Sequence, residues 1–132
     1  MTTQRRQEIL ATEGLRLMDD IRQEFEACAD LLNAIGDRQR QHIITKMLDE
    51  SVSGSRVVEI AKLTNLSRPA ASRHMQILRK AGIVTARKDG TRIRYYLNPD
   101  PEELHRLEIL VQRVQEIMKT RVFEPEGEAL ED

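Results

Sequence analysis

Between Leu66 and Asn98 the sequence places eight bases and one acid: Arg68, Arg73, Arg79, Lys80, Arg87, Lys88, Arg92 and Arg94 against Asp89. The local charge is +7 in a chain whose total is −1. A uniformly solvated surface does not segregate charge in this way, so the segment is expected to face something anionic. Six of the bases fall in two groups. The first lies in the run Ser67, Arg68, Pro69, Ala70, Ser72, Arg73, His74 and Gln76. There an arginine can donate two hydrogen bonds to a guanine edge, and His74 or Gln76 can add base or phosphate contacts. The Ser67 hydroxyl and the free N–H groups of a helix start suit a phosphate. The second group, Arg87, Lys88, Thr91, Arg92 and Arg94, flanks Asp89-Gly90 and can reach neighbouring phosphates or the minor groove.

The elements that position these groups are legible around them. Val57, Val58, Ile60, Ala61 and Leu63 form a short helical pattern after Ser55, a good N-cap. Thr64-Asn65-Leu66 is a three-residue turn, and Asn65 tolerates the left-handed conformation of such a corner. Ser67 caps a second helix, Pro69 is acceptable in its first turn, and Gly82 ends it. On that helix Ala71, Met75 and Leu78 point inward, which leaves Arg68, Ala70, Arg73, His74 and Gln76 facing out. Ile83 to Lys88 and Thr91 to Asn98 read as two strands joined by Asp89-Gly90. In the second strand Ile93, Tyr95 and Leu97 alternate with Arg92, Arg94 and Tyr96, one face apolar and the other basic. Helix, tight turn, helix and basic hairpin make a winged helix-turn-helix, mainly α with a small β-hairpin wing, a mixed α+β fold whose face suits double-stranded DNA.

On either side lie amphipathic helices. From Gln4 to Leu32 apolar residues recur at Leu10, Leu17, Ile21, Phe25, Cys28 and Leu32, with Gly14 as a point where the helix can bend or start late. Gly36 stops the next turn, and Asp37 caps a helix that buries Ile43, Ile44, Met47 and Leu48. Ser51 to Ser55 is turn chemistry. Asp100, Pro101 and Glu103 open a last helix with a capping box. Leu104, Leu107, Val111, Val114 and Met118 follow at 3-4-3-4 spacing, a two-heptad seam suited to pairing with another helix. The expected organisation is an N-terminal dimerisation helix over 1–30, a winged domain with its dimer helix over 31–120, and an acidic, disordered tail over 121–132.

With 132 residues, 39% hydrophobic and 33% charged, the chain suits one domain that completes its apolar burial by forming a homodimer. Its single cysteine excludes an internal disulfide and fits a reducing cytoplasm. No segment approaches the roughly 18 apolar residues of a membrane span, and the polar N-terminus lacks a signal-peptide run.

The run from about Leu31 to Lys119 resembles the ArsR/SmtB family of small bacterial repressors. The carrying stretches are LLNAIGDRQRQHIITKML, LSRPAASRHMQILRKAGIVTARKDG and TRIRYYLN. The resemblance implies a homodimer joined through its first and last helices, with two recognition helices on a palindromic operator. Half-sites would lie one helical turn apart, ~34 Å. The family's metal sites do not carry over. Val57-Val58-Glu59-Ile60-Ala61 has no thiol where metal-sensing members have Cys-x-Cys, and the last helix offers only His105 and Glu108. No metal or other cofactor is expected, and the effector is open.

Two other readings stand beside a DNA-binding repressor. One is a winged helix that serves only protein interaction or dimerisation. The other is a thiol-based redox switch at Cys28, against which stands the use of a lone cysteine as a small core residue. An enzyme is not expected, for there is no nucleophile–base set and no Gly-rich phosphate loop.

Overall fold

A computed structural model of the chain describes residues 2–9, 13–49 and 53–131. Its elements run α1 (Thr3–Ile9), α2 (Leu15–Ala27), α3 (Ala29–Ile35), α4 (Arg38–Asp49), α5 (Val57–Thr64), α6 (Arg68–Lys80), β1 (Val84–Asp89), β2 (Arg92–Leu97) and α7 (Pro101–Lys119). They form two compact units, one of Ala27–Arg106 and one of residues 1–26 with 107–132.

The larger unit is built on local chemistry that the residues announce. Gly36 donates its N–H to Leu32 O at 2.9 Å and closes α3. Asp37 opens α4 by accepting the Arg40 N–H on Oδ2 at 3.0 Å. Asn65 adopts φ 56° and ψ 42°, and Leu66 N–H reaches back to Ala61 O at 2.9 Å, which turns the chain sharply out of α5. Ser67 Oγ accepts the Ala70 N–H at 3.2 Å, and Pro69 lies in the first turn of α6. Ala71, Met75 and Leu78 are fully buried, as their spacing requires. They meet a core that includes Ala34, Ile43, Met47, Ile60 and Val84. Ile44 is half-buried and Leu48 is 58% exposed, so the buried stripe of α4 is narrower than the sequence suggests.

Three local expectations are corrected. Ser55 does not cap α5. Its backbone pairs with Tyr95 in an antiparallel bridge, both N–H···O distances being 2.8 Å, which makes it a one-residue third strand beside the hairpin. Arg56 takes the N-cap place, and its N–H is accepted by Glu59 Oε1 at 3.1 Å. In the hairpin Asp89 pairs with Arg92, so the loop residues are Gly90 and Thr91 rather than Asp89 and Gly90. Gly90 has φ +66° while Thr91 keeps a negative φ, a one-glycine turn that needs the left-handed region only at its first position. At α7 the Asp100 side chain accepts the Glu102 N–H at 2.9 Å, but the Asp100 N–H goes to Gly82 O at 2.8 Å, so Glu103 does not complete a capping box.

Gly54 shows how tightly the base of the ribbon is packed. It has φ +72°, and a Cβ there would lie 2.7 Å from the Tyr96 ring. Tyr96 thus lies against the chain entering α5 rather than standing free on a basic face.

The smaller unit holds α1, α2 and the greater part of α7. The single long helix expected from Gln4 is divided. Glu13 and Gly14 form a π-type turn before α2, and Cys28, with φ −95° and ψ 3°, separates α2 from α3. Leu110, Ile117 and Val122 are buried. Arg6 donates to Glu124 O at 2.8 Å and to Glu126 Oε1 at 3.3 Å, which ties the first helix to the acidic segment. Among the described residues no helix is long and apolar enough to cross a membrane.

Candidate nucleic-acid interface

Helix α6 stands on its buried triad and presents the opposite face. Arg68, Pro69, Arg73 and Gln76 are exposed, and Ala70, Ser72 and His74 are half-buried. Across from α6 the hairpin tip exposes Arg87, Lys88, Thr91 and Arg92. An open groove of ≈ 600 Å³ joins the two: Arg68, Ser72 and Gln76 line it from α6, and Thr91 and Arg92 line it from the wing. Five residues expected to bind DNA are therefore brought to one concavity. Arg87 lines a different depression, beside Arg79 and Asn98. Charge explains what this face can do. Exposed guanidinium groups on a helix N-terminal half can donate in pairs to base edges, while wing cations neutralise phosphates.

Two residues expected at this face are held differently. Arg94 is engaged within the wing. Its Nε donates to Asp89 Oδ2 at 2.8 Å, Nη1 donates to Ser53 O at 3.4 Å, and Nη1 lies 4.0 Å from Glu59 Oε1. The hydrogen bond to Asp89, helped by the charge of the Asp89 and Glu59 carboxylates, holds the Arg94 guanidinium above its ordinary pKa. Arg94 shapes the wing and is not a free phosphate ligand. His74 does not simply face out, because its Nδ1 lies 3.2 Å from Arg40 Nη1.

Arg40 is a residue that the sequence reading missed. It is buried, with 7% of its surface exposed. Its Nε donates to Ala34 O at 2.9 Å and its Nη2 to Asn33 O at 2.8 Å, satisfying carbonyls at the end of α3. The Asp37 carboxylate lies 3.9 Å from Nη1. The Arg40 backbone N–H, foremost, and then the guanidinium charge keep the Asp37 carboxyl below its usual pKa. A signal was available: Arg40, Ile43 and Met47 share one helical stripe, and all three are buried. Arg56, at the start of α5, also lines the groove, and its Nε binds Glu59 Oε1 at 3.1 Å. The Arg56 N–H and then its side chain lower the Glu59 pKa.

The residues proposed for dimerisation divide into two sets. Leu17, Ile21, Leu107 and Val114 are half-buried, while Phe25, Leu104, Val111 and Met118 are 50%, 43%, 48% and 51% exposed. Leu10 lies outside the described residues. On α7 it is Leu110 and Ile117 that are buried, so the 3-4-3-4 seam is left largely uncovered. Cys28 is fully buried. Among the described residues no group of three or more His, Cys, Asp or Glu side chains is placed to hold a metal ion.

A helix-turn-helix with an exposed basic recognition face and a β wing defines a DNA-binding regulator. Comparison with known proteins supplies the family. Residues 38–86 match the family described as bacterial regulatory protein, arsR family. An uncharacterised HTH-type transcriptional regulator of Methanocaldococcus jannaschii is 40% identical over 78 residues, which are 59% of this chain and 85% of that one. The transcriptional activator HlyU of Vibrio cholerae is 34% identical over 82 residues, 58% of this chain and 73% of that one. The solved structure of reduced HlyU superposes with a TM-score of 0.51 at 30% identity, covering 68% of this chain and 92% of that one. The crystal structure of an ArsR family regulator shares the fold with a TM-score of 0.58 at 19% identity, covering 71% and 92% of the two chains. The chain belongs to the ArsR family: it is a DNA-binding transcriptional regulator with a winged helix-turn-helix.

Proposed function

We propose that the protein is a homodimeric repressor that sets two α6 helices into successive major grooves of a palindromic operator and so occludes a promoter. The observation that carries this reading is the shared groove of Arg68, Ser72 and Gln76 with Thr91 and Arg92. It offers base-edge donors and phosphate-facing cations on one surface. The dimer is supported by the uncovered seam of α7 and the exposed Phe25 of α2, apolar surface that a second copy would remove from water. Half-sites one turn apart, ~34 Å, would match the two-fold axis. The dimer is proposed to work without the family's metal sites. A thiol switch is disfavoured by the complete burial of Cys28, since a reactive thiol needs access.

Selection of bound duplexes from a random pool, followed by fluorescence anisotropy at several salt concentrations, tests the reading. A palindrome bound at least ~10³-fold tighter than random duplex, with affinity falling steeply in salt, is expected. Equal affinity for both duplexes would end the operator proposal. In transcription assays from a promoter carrying the selected site, inhibition supports repression, and stimulation, the activity for which HlyU is named, overturns it.

A further inference from the structure

The contact between Arg40 and His74 fixes more than packing. A guanidinium donates and has no acceptor, so the His74 Nδ1 that faces Arg40 Nη1 at 3.2 Å must carry a lone pair. With Nδ1 as the acceptor, the ring proton is carried on Nε2. Arg40 itself has little freedom to move away. Its other two nitrogens, Nε and Nη2, donate to Ala34 O and Asn33 O, and its chain is buried. Among the described residues His74 Nε2 has no hydrogen-bond partner, and it is not a buried orphan. His74 sits on α6 between the exposed Arg73 and the buried Met75.

We propose that Arg40 is a positioning residue for DNA reading: it holds His74 in the Nε2–H tautomer, so that α6 offers DNA one fixed donor. The inference rests on α6 being the helix that meets DNA. The ligand chemistry is a hydrogen-bond acceptor on the duplex, either a phosphate oxygen or the N7/O6 edge of guanine. A histidine left to itself would exchange between two tautomers and a cation near neutral pH, and would present donor, acceptor or charge in turn. Tied to Arg40, it presents a donor only. The discrimination reaches the surface from a buried cation on α4, a residue that need not touch DNA.

Three measurements on the full-length protein test this. In the free protein, long-range ¹H–¹⁵N correlation spectra of ¹⁵N-histidine-labelled samples should show His74 with its proton on Nε2 and an unprotonated Nδ1. The reverse tautomer, or an averaged ring, overturns the proposal whatever happens with DNA. Arg40→Met should convert that signal to an averaged or protonated ring if the variant folds by circular dichroism. An unchanged Nε2–H signature in folded Arg40→Met overturns the role of Arg40. The third measurement leaves Arg40 in place. His74→Asn keeps an acceptor for Arg40 but no outward ring N–H. It should retain the wild-type melting temperature and lose roughly five- to tenfold in affinity for the selected duplex, the worth of one neutral hydrogen bond. His74→Gln, which restores an amide donor near the Nε2 position, should recover part of that loss. If the loss falls equally on selected and random duplexes, the acceptor is a phosphate; if on the selected duplex alone, it is a base edge. Wild-type affinity in His74→Asn overturns the proposal.

Discussion

The Arg94 guanidinium binds Asp89 Oδ2 at 2.8 Å, although the residue directly across the ribbon from Arg94 is another cation, Arg87. Like charges opposed on a ladder repel. Asp89, the diagonal neighbour, neutralises one of them, and among the described residues Arg87 has no ion pair. The single acid of the basic segment therefore sets which wing cations are available. Asp89→Ala should remove the strongest tie on Arg94, leaving it only Ser53 O and Glu59, and remove a negative charge from the tip. Affinity for all duplexes should rise, and the slope of log K against log salt should steepen by about one phosphate equivalent, ~0.9. Anisotropy titrations over a salt series read both. Arg92→Ala should do the reverse.

Arg68 opens α6 and lines the groove. Arg68→Ala should cost ~1–3 kcal/mol against the preferred duplex and relax base preference at one position of each half-site. Repeating the selection with the variant, and comparing position-specific preferences, reads the relaxation directly.

Gly54 tests the base of the wing. Any side chain there meets the Tyr96 ring at 2.7 Å from a backbone with φ +72°. Gly54→Ala should lower unfolding stability by ~1–3 kcal/mol in urea. DNA affinity of the folded fraction should fall less, because the groove residues are unchanged.

The seam on α7 predicts an oligomeric effect. Val111→Glu places a charge at the centre of that face, on a residue that is 48% exposed in one copy. The single chain should fold normally by circular dichroism. Light scattering should then report a monomer where a dimer is expected of the wild type, and binding to a palindrome should weaken far more than binding to one half-site.

Asp37 and Glu59 both have pKa values below the usual carboxylate range, chiefly through backbone N–H groups of Arg40 and Arg56. A carboxylate with a depressed folded pKa contributes stability above its unfolded pKa, and loses it as pH falls through the folded value. Melting temperature should therefore decline on acidification below about pH 4.5, where the unfolded chain takes up protons first. Glu59→Gln should be less stable near neutrality and show a flatter decline.

The parts legible in the residues are those decided within a few positions. Asp37, Asn65, Ser67 and Pro69 each act on their own turn, and the Ala71, Met75 and Leu78 triad is a direct product of helical period. The parts not legible depend on distant partners. Ser55 was a sound cap by its own chemistry, but a pairing with Tyr95, forty residues on, claims its backbone. Arg94 alternates correctly for an outward face, yet Asp89, Ser53 and Glu59 converge on it from three segments. Asp89-Gly90 is a strong turn signal, but so is a glycine at the first loop position, and the ladder from Val84–Leu97 to Asp89–Arg92 decides between them. Arg40 attracts no reading from the sequence because most arginines lie at the surface; only its place on the Ile43 and Met47 stripe marks it.

The bridge between Ser55 and Tyr95 has a mechanical consequence. Both of its amides are tied, and Ser55 immediately precedes the first turn of α5. The ribbon is thus clamped at its root, while nothing lies within 4 Å of the place a side chain would occupy at Gly90. Such a ribbon behaves as a lever with a fixed fulcrum. Fluctuations grow toward Lys88 and Arg92, where backbone amides should exchange with solvent fastest, and fade at Tyr95. The tip can follow the changing width of a duplex groove while α6 keeps its alignment.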